Sequence, residues 1–258
     1  MSNDATRSAS PELHLRPLTA RSVILSVLLG SHPPLLAVRT LVSTLELFGV
    51  TEGTTRVALS RLAGEGDVVA DGGYYRLSLR LIDRQNLQDE TLRPKTRAWR
   101  GIWELAVADP SVQHAADRAR LGADLARLRL AELRPGVWVR PDNLTREWPA
   151  EVIERAWRFE SRSNFTRTAA ADVVGGLWDL TEWATTAELL IKTINATKDS
   201  AERFELAAAI VRHLRHDPML PPSLLPERWP GSRLRGVYDS YRRELGQMIS
   251  DERDRNGG

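Results

Sequence analysis

An α+β protein in three parts is what this sequence predicts, on three observations. Apolar-periodic helical stretches between Thr19 and Gly64 run into a hairpin ending at Leu77. A strand, a helix and a second strand follow between Gly101 and Pro141. From Ala170 onward the pattern is helical, broken by one proline-rich tract. The organisation implied is a loose tail over 1–18, a three-helix-and-hairpin domain over 19–78, a linker helix over 79–100, an α+β domain over 101–170 and a helical domain over 171–258.

The first helix, Thr19 to Leu29, turns Val23, Ile24, Val27 and Leu28 inward, with Thr19 placed to cap it and Gly30 to end it. The second, Ala37 to Phe48, turns Val38, Leu41, Val42 and Leu45 inward and stops at Gly49. A very short loop leads to Thr51, which can cap the third helix with Glu52 in its first turn. Here Thr55, Ala58, Leu59 and Leu62 recur at helical spacing as the buried stripe. Gly64 and Gly66 stop this helix. Val68 and Val69 open a strand, Asp71-Gly72-Gly73 tolerates positive φ, and Tyr74 to Leu77 return. Three helices and then a two-stranded wing are the plan of a winged helix-turn-helix, whose third helix enters the major groove while the wing lies on phosphates.

On that plan the outward face of the third helix carries Thr54, Arg56, Val57, Ser60 and Arg61. Arg61 and Ser60 suit base edges, Val57 a thymine methyl, and Thr54 and Arg56 the backbone or flanking bases. Arg76 on the returning wing strand, with Tyr74 or Tyr75, suits phosphate or minor-groove contact, one tyrosine packing inward because adjacent strand residues face opposite sides. Arg39 on the second helix can touch the DNA backbone or lie on a plain surface. A solvated face or a protein-docking surface is the competing reading. Arginine and hydroxyl groups in place of apolar anchors favour double-stranded DNA.

Charge gives no global field, with 36 basic against 34 acidic side chains, so a polyanion must be met by a local patch. The first hundred residues hold 13 Arg plus Lys and 10 Asp plus Glu. Only Lys95, Lys192 and Lys198 are lysine, a bias that reflects base composition of the genome more than bidentate chemistry. No cysteine is present, which excludes disulfides, thiolate nucleophiles and Cys-based zinc sites. The tail has no apolar core of a signal peptide, and the run Val23 to Leu29 is far shorter than the roughly 20 residues of a membrane span. A cytoplasmic protein with no membrane partner is expected.

After the wing, Ser78 to Arg93 reads as a linker helix with Leu79, Ile82 and Leu87 on one side, ended by Pro94. Arg93, Lys95, Arg97 and Arg100 surround Trp99 and suit either an anionic ligand or a solvated linker. Gly101 to Ala108 is a strand broken at Asp109-Pro110, Ser111 to Leu133 a long amphipathic helix, and Val137 to Val139 a second strand closed by Pro141. Val152 to Phe159 is a helix turn or a further strand. Together these suggest a ferredoxin-like α+β domain. Helical stretches cover Ala170 to Thr185, Leu189 to Thr193 and Ala201 to Leu214. The tract DPMLPPSLLPERWPG, Asp217 to Gly231, is too rich in proline for a helix and too apolar for a free linker, so it must strap a hydrophobic surface. A last helix, Ser232 to Ile249, is expected to give way to fraying from Asp251.

The segments GVTEGTTRVALSRLAGEGDVVADGGYYRLS, PGVWVRP, LWDL at Leu177 to Leu180 and DPMLPPSLLPERWPG together resemble the phenylacetate-degradation repressor family, the PaaX-type regulators. The polar tract between Trp148 and Asp172 departs from that family's pattern. The resemblance implies an N-terminal winged helix-turn-helix, a middle Cas2-like ferredoxin-like α+β domain and a C-terminal helical domain. It also implies a homodimeric repressor of palindrome-like operators, released by an aryl-CoA (acyl-CoA) effector, typically phenylacetyl-CoA. Separately, the sequence shows no Gly-rich phosphate loop with a lysine, no Ser-His-Asp spacing and no nucleophile elbow, so neither an enzyme nor a cofactor is expected.

Such an effector needs an aromatic pocket and basic groups, for which Trp138, Trp178, Arg97 and Arg100 are the candidates, although the tryptophans suit a core as well. Asp109 stands where Cas2-like nucleases hold a metal-binding aspartate. A turn-forming Asp before Pro is the commoner case, and no second carboxylate cluster supports metal-dependent cleavage. His213, His216 and Asp217 lie within one helical turn of each other, where helix capping is favoured over a metal.

Overall fold

A computed structural model describes residues 18–112, 114–164 and 166–256, with Leu13 and Leu15. In chain order the elements begin α1 (Ala20–Gly30), β1 (Leu35–Ala37), α2 (Val38–Glu46), α3 (Glu52–Gly64), β2 (Val68–Asp71), β3 (Tyr74–Leu77) and α4 (Leu79–Leu92). Next come β4 (Ile102–Ala108), α5 (Ala115–Arg127), β5 (Ala131–Arg134), β6 (Val137–Pro141), α6 (Ala150–Ile153) and β7 (Ala156–Arg162). The chain ends with α7 (Arg167–Leu177), α8 (Leu180–Ala196), α9 (Ser200–Leu214), a 3-10 turn at Pro222–Leu224 and α10 (Gly231–Asn256). This is the expected α+β class. No helix among the described residues is long and apolar enough to cross a membrane.

Two compact units result. The first takes the chain up to Leu92 together with Ala184–His216 and Pro230–Gly258; the second takes Arg93–Trp183 and Asp217–Trp229.

In the first unit, Thr19 caps α1 in a reciprocal box with Ser22, and Val23, Ile24, Val27 and Leu28 are buried, as their spacing requires. On α2 the buried stripe is Thr40, Leu41, Val42, Thr44 and Leu45, while Val38, expected inward, is half-buried. Thr44 is accepted inside because its hydroxyl donates to the Thr40 carbonyl at 2.6 Å. The wing holds a strand that the helical periodicity had concealed: β1 pairs antiparallel with β3, giving the sheet order β1-β3-β2. On α4 the buried positions are Leu81, Gln85, Thr91 and Leu92; Leu79 and Leu87, expected inward, are exposed. The reason is Gln85, whose amide donates to the carbonyls of Leu29 and Ser31, each at 2.9 Å, and so closes the end of α1. Helix α10 packs on α2 and α9, and α4 packs on α9. It continues to Asn256, past the fraying expected from Asp251.

In the second unit four antiparallel strands lie in the order β5-β6-β4-β7, the ferredoxin-like arrangement. The expected helix over 111–133 is shorter than its pattern: α5 ends at Arg127, and Leu133 belongs to β5, which is bulged between Glu132 and Arg134. The tract 152–159 is both of its alternatives, a single helical turn and then β7. One sheet face, with Ala106, is covered by Leu121, Leu125 and Leu128 with Trp148 and Val152. On the other, Trp103 and Val139 meet Ala170 and Val174 of α7 and Leu220 and Leu224 of the proline tract, which is strapped across a hydrophobic surface as its composition demands.

Two buried charges lock this unit. Glu104, with no exposed surface, accepts from Trp148 Nε1 at 2.8 Å, Arg146 at 2.8 Å and Arg158 at 3.0 Å. Arg140, equally buried and directly across the β4–β6 ladder, donates to the Pro141 and Arg129 carbonyls, Asn143 Oδ1 and the Met219 carbonyl. Burial pushes its pKa down to about 9, which leaves it protonated at neutral pH. Through Met219 the strap is tied to the sheet.

Candidate nucleic-acid interface

Helix α3 is set by its ends and its buried side. Gly49, at φ +75°, makes the turn out of α2, and Thr51 caps α3 by accepting from the Thr54 backbone N–H. Thr55, Leu59 and Leu62 are buried, against α1 and α2. That leaves Thr54, Arg56, Val57, Ser60 and Arg61 exposed together, with Val57 at 53% the most solvent-facing apolar side chain of the helix. Two of the five are engaged locally: the Thr54 hydroxyl lies 3.0 Å from that of Thr51, and Arg56 Nε donates to Glu52 Oε1 at 2.8 Å. An exposed i, i+4 pair of this kind contributes only about 0.3–0.5 kcal/mol, so Arg56 is readily recruited by a phosphate.

The wing turns through Gly72 and Gly73, at φ +52° and +88°, in a two-residue loop between the paired Asp71 and Tyr74. Leu77 faces Val68 in the core. On the opposite face Arg76 stands between Leu35 of β1 and Val69 of β2, with Tyr74 beside it, all exposed. Neither tyrosine packs fully inward: Tyr75 is half-buried on the Leu77 side. Arg39 is exposed on α2.

A cluster unseen in the sequence holds the far end of α3. Asp67, nearly buried just after the helix, is bridged by Arg21 of α1 and Arg80 of α4, and Arg21 also binds Glu65. The Glu65 hydrogen bond, aided by both carboxylates' charge, raises the pKa of Arg21. No local pattern marks this clamp, because Arg21 and its partner Asp67 lie 46 residues apart.

The effector candidates do not converge. Trp138 packs with the α5 side of the sheet, its ring placed so that a Cβ on Gly122 would meet it at 3.1 Å, whereas Trp178 packs with the α7 side. Arg97 is held on the carboxylate of the nearly buried Asp142, and that bond is the leading cause that raises the Arg97 pKa. Arg100 is exposed.

Asp109 is a turn residue: its Oδ1 accepts from the Ser111 N–H at 2.8 Å, and hydrogen bonding to Ser111 lowers its pKa. His216 Nδ1 lies 3.0 Å from the Arg212 carbonyl at the end of α9, and Asp217 Oδ1 accepts from the Met219 N–H. Among the described residues no three His, Asp or Glu side chains converge as metal ligands.

Family comparisons agree along the chain. Residues 19–81 match "PaaX-like protein", residues 96–175 match "PaaX protein central Cas2-like domain", and residues 178–251 match "PaaX-like protein C-terminal domain". Among solved structures the chain is similar to uncharacterized protein Rv0674 from Mycobacterium tuberculosis, with 42% identity, a TM-score of 0.81, and coverage of 91% of this chain and 99% of that one. No curated protein matches. A winged helix, a Cas2-like sheet domain and a helical C-terminal region in this order, with identity at that level over nearly the whole length, place the chain in the PaaX-like family, a family of transcriptional regulators of the phenylacetate pathway.

Proposed function

We propose that this regulator is a repressor that reads a palindrome-like operator in double-stranded DNA with the α3 face, acts as a homodimer in the cytoplasm, and is released by an aryl-CoA thioester such as phenylacetyl-CoA. One observation carries the reading: Thr54, Val57, Ser60 and Arg61 stand exposed on one face of a helix whose opposite side is buried. Arg76 and Tyr74 on the wing add a second contact surface. Support for a homodimer comes from β7, an edge strand whose Trp157 and Phe159 are each 50% exposed, because an apolar unpaired edge invites a second strand.

A gel shift with the DNA upstream of the protein's own gene tests the reading. A shifted band that disappears as phenylacetyl-CoA is added is expected. No shift on that DNA counts against repression, and a band indifferent to the thioester counts against that effector. If β7 makes the dimer, Trp157→Glu with Phe159→Lys gives a monomer by sedimentation equilibrium, whereas an unchanged mass assigns the dimer to another surface.

A further inference from the structure

Within the first unit, α1, α4, α9 and α10 line an open cavity of about 310 Å³. Its apolar wall comes from Leu25, Leu29, Leu87, Phe204 and Val211. Its polar wall has one sign of excess: Arg84, Arg212 and Arg215 reach it, and its acid, Glu205, already accepts from the Leu18 N–H at 2.9 Å. Arg84 has no carboxylate within ion-pair distance among the described residues. Partial burial first, and then the like charges of Arg215 and Arg80, lower its pKa against the attraction of Asp67.

Two tyrosines complete the wall. Tyr238 and Tyr241 of α10 are buried, and neither hydroxyl has a hydrogen-bond partner among the described residues. Burial pushes the Tyr238 phenol up to about 12 and raises Tyr241 as well, so both remain neutral O–H donors. A chamber with an apolar wall, the exposed guanidinium of Arg84 at its rim and two phenol O–H donors that bond to no described residue is complementary to an acid on a hydrophobic body.

We infer that this cavity is a binding site for a compact organic carboxylate with an aromatic or branched apolar body, its carboxylate meeting Arg84 and the phenols. The size selects the free acid: ligand pockets run from roughly 300 to 1,000 Å³, and one at the lower end takes a ring-bearing acid, not a nucleotide-bearing thioester. A ligand here touches α1, which packs on α3, so occupancy bears on the recognition helix. That consequence rests on the DNA-binding reading; the binding itself does not.

Isothermal titration of the full chain separates the two. Benzoate, phenylacetate and 3-phenylpropionate are titrated beside their uncharged amides and beside phenylacetyl-CoA. At least one acid is expected to bind one-to-one, with its amide at least tenfold weaker, because a charge-assisted hydrogen bond is lost. Arg84→Gln is expected to weaken the acid roughly 10- to 100-fold without changing Tm. Ala208→Phe, which fills the chamber, is expected to abolish binding; if that variant fails to fold, Arg84→Gln with Tyr238→Phe decides. No binding by any acid, equal binding of acid and amide, binding of the thioester alone, or affinity unmoved by the variants overturns the assignment, whatever the gel shift shows.

Discussion

Glu104 sits on a central strand with no exposed surface, and its charge is held by direct bonds from Arg146, Arg158 and the Trp148 indole, with Arg140 across the ladder. Removing one partner of such a set leaves the others buried and unpaired. Glu104→Gln should therefore destabilise the protein by about 3 kcal/mol, read from urea denaturation; a change under about 0.5 kcal/mol would mean that water already screens the site. Nothing in GIWELAVA marks Glu104 as interior, because a charged residue in an alternating strand reads as solvent-facing and its partners lie more than 40 residues away. The α3 face is the opposite case. Thr55, Leu59 and Leu62 at helical spacing fix which side is buried, so Val57, Ser60 and Arg61 were legible as outward before any contact was known. If Arg61 reads a base edge, Arg61→Ala costs roughly 1 to 3 kcal/mol of operator affinity and relaxes preference at one base position. Equal weakening on all sequences would make it a phosphate contact.

At the scale of elements, the local chemistry of ends and turns carried the most information. Thr19, Thr51 and the pair Gly72-Gly73 each do what their types suggest. A β-branched side chain at Gly73, where φ is +88°, is strained, so Gly73→Val should cost about 1–2 kcal/mol in thermal unfolding. An unchanged Tm would mean that the hairpin relaxes. Elements without local signals were missed. The strand β1 is three residues long, too short to alternate, and its partner β3 lies almost 40 residues on. The buried stripe of α4 was misplaced because it runs through Gln85, a polar residue buried only to serve the end of α1. On α5, a Cβ on Gly122 would press on the Trp138 ring, and Gly122→Val should destabilise by roughly 1 to 3 kcal/mol through overpacking, read from urea denaturation; an unchanged midpoint would mean that the ring moves aside freely.

At the scale of the whole molecule, the order of parts could be read along the chain, but their grouping could not. The chain passes back and forth between two units, and α9 and α10, far from the winged helix in sequence, complete its core by packing on α4 and α2. Periodicity gives each helix a face to bury and says nothing of what buries it. The C-terminal helices occupy α2 and leave the outward face of α3 exposed, which is the geometry that recognition of a duplex requires. Fluorescence anisotropy of a labelled duplex from upstream of the gene, titrated with wild type and with Val57→Glu Arg61→Ala across a salt series, tests that requirement most directly. The result predicted is sequence-selective binding that falls linearly on a logarithmic salt scale and is lost in the double variant while its Tm is retained; wild-type and variant curves that coincide would contradict it.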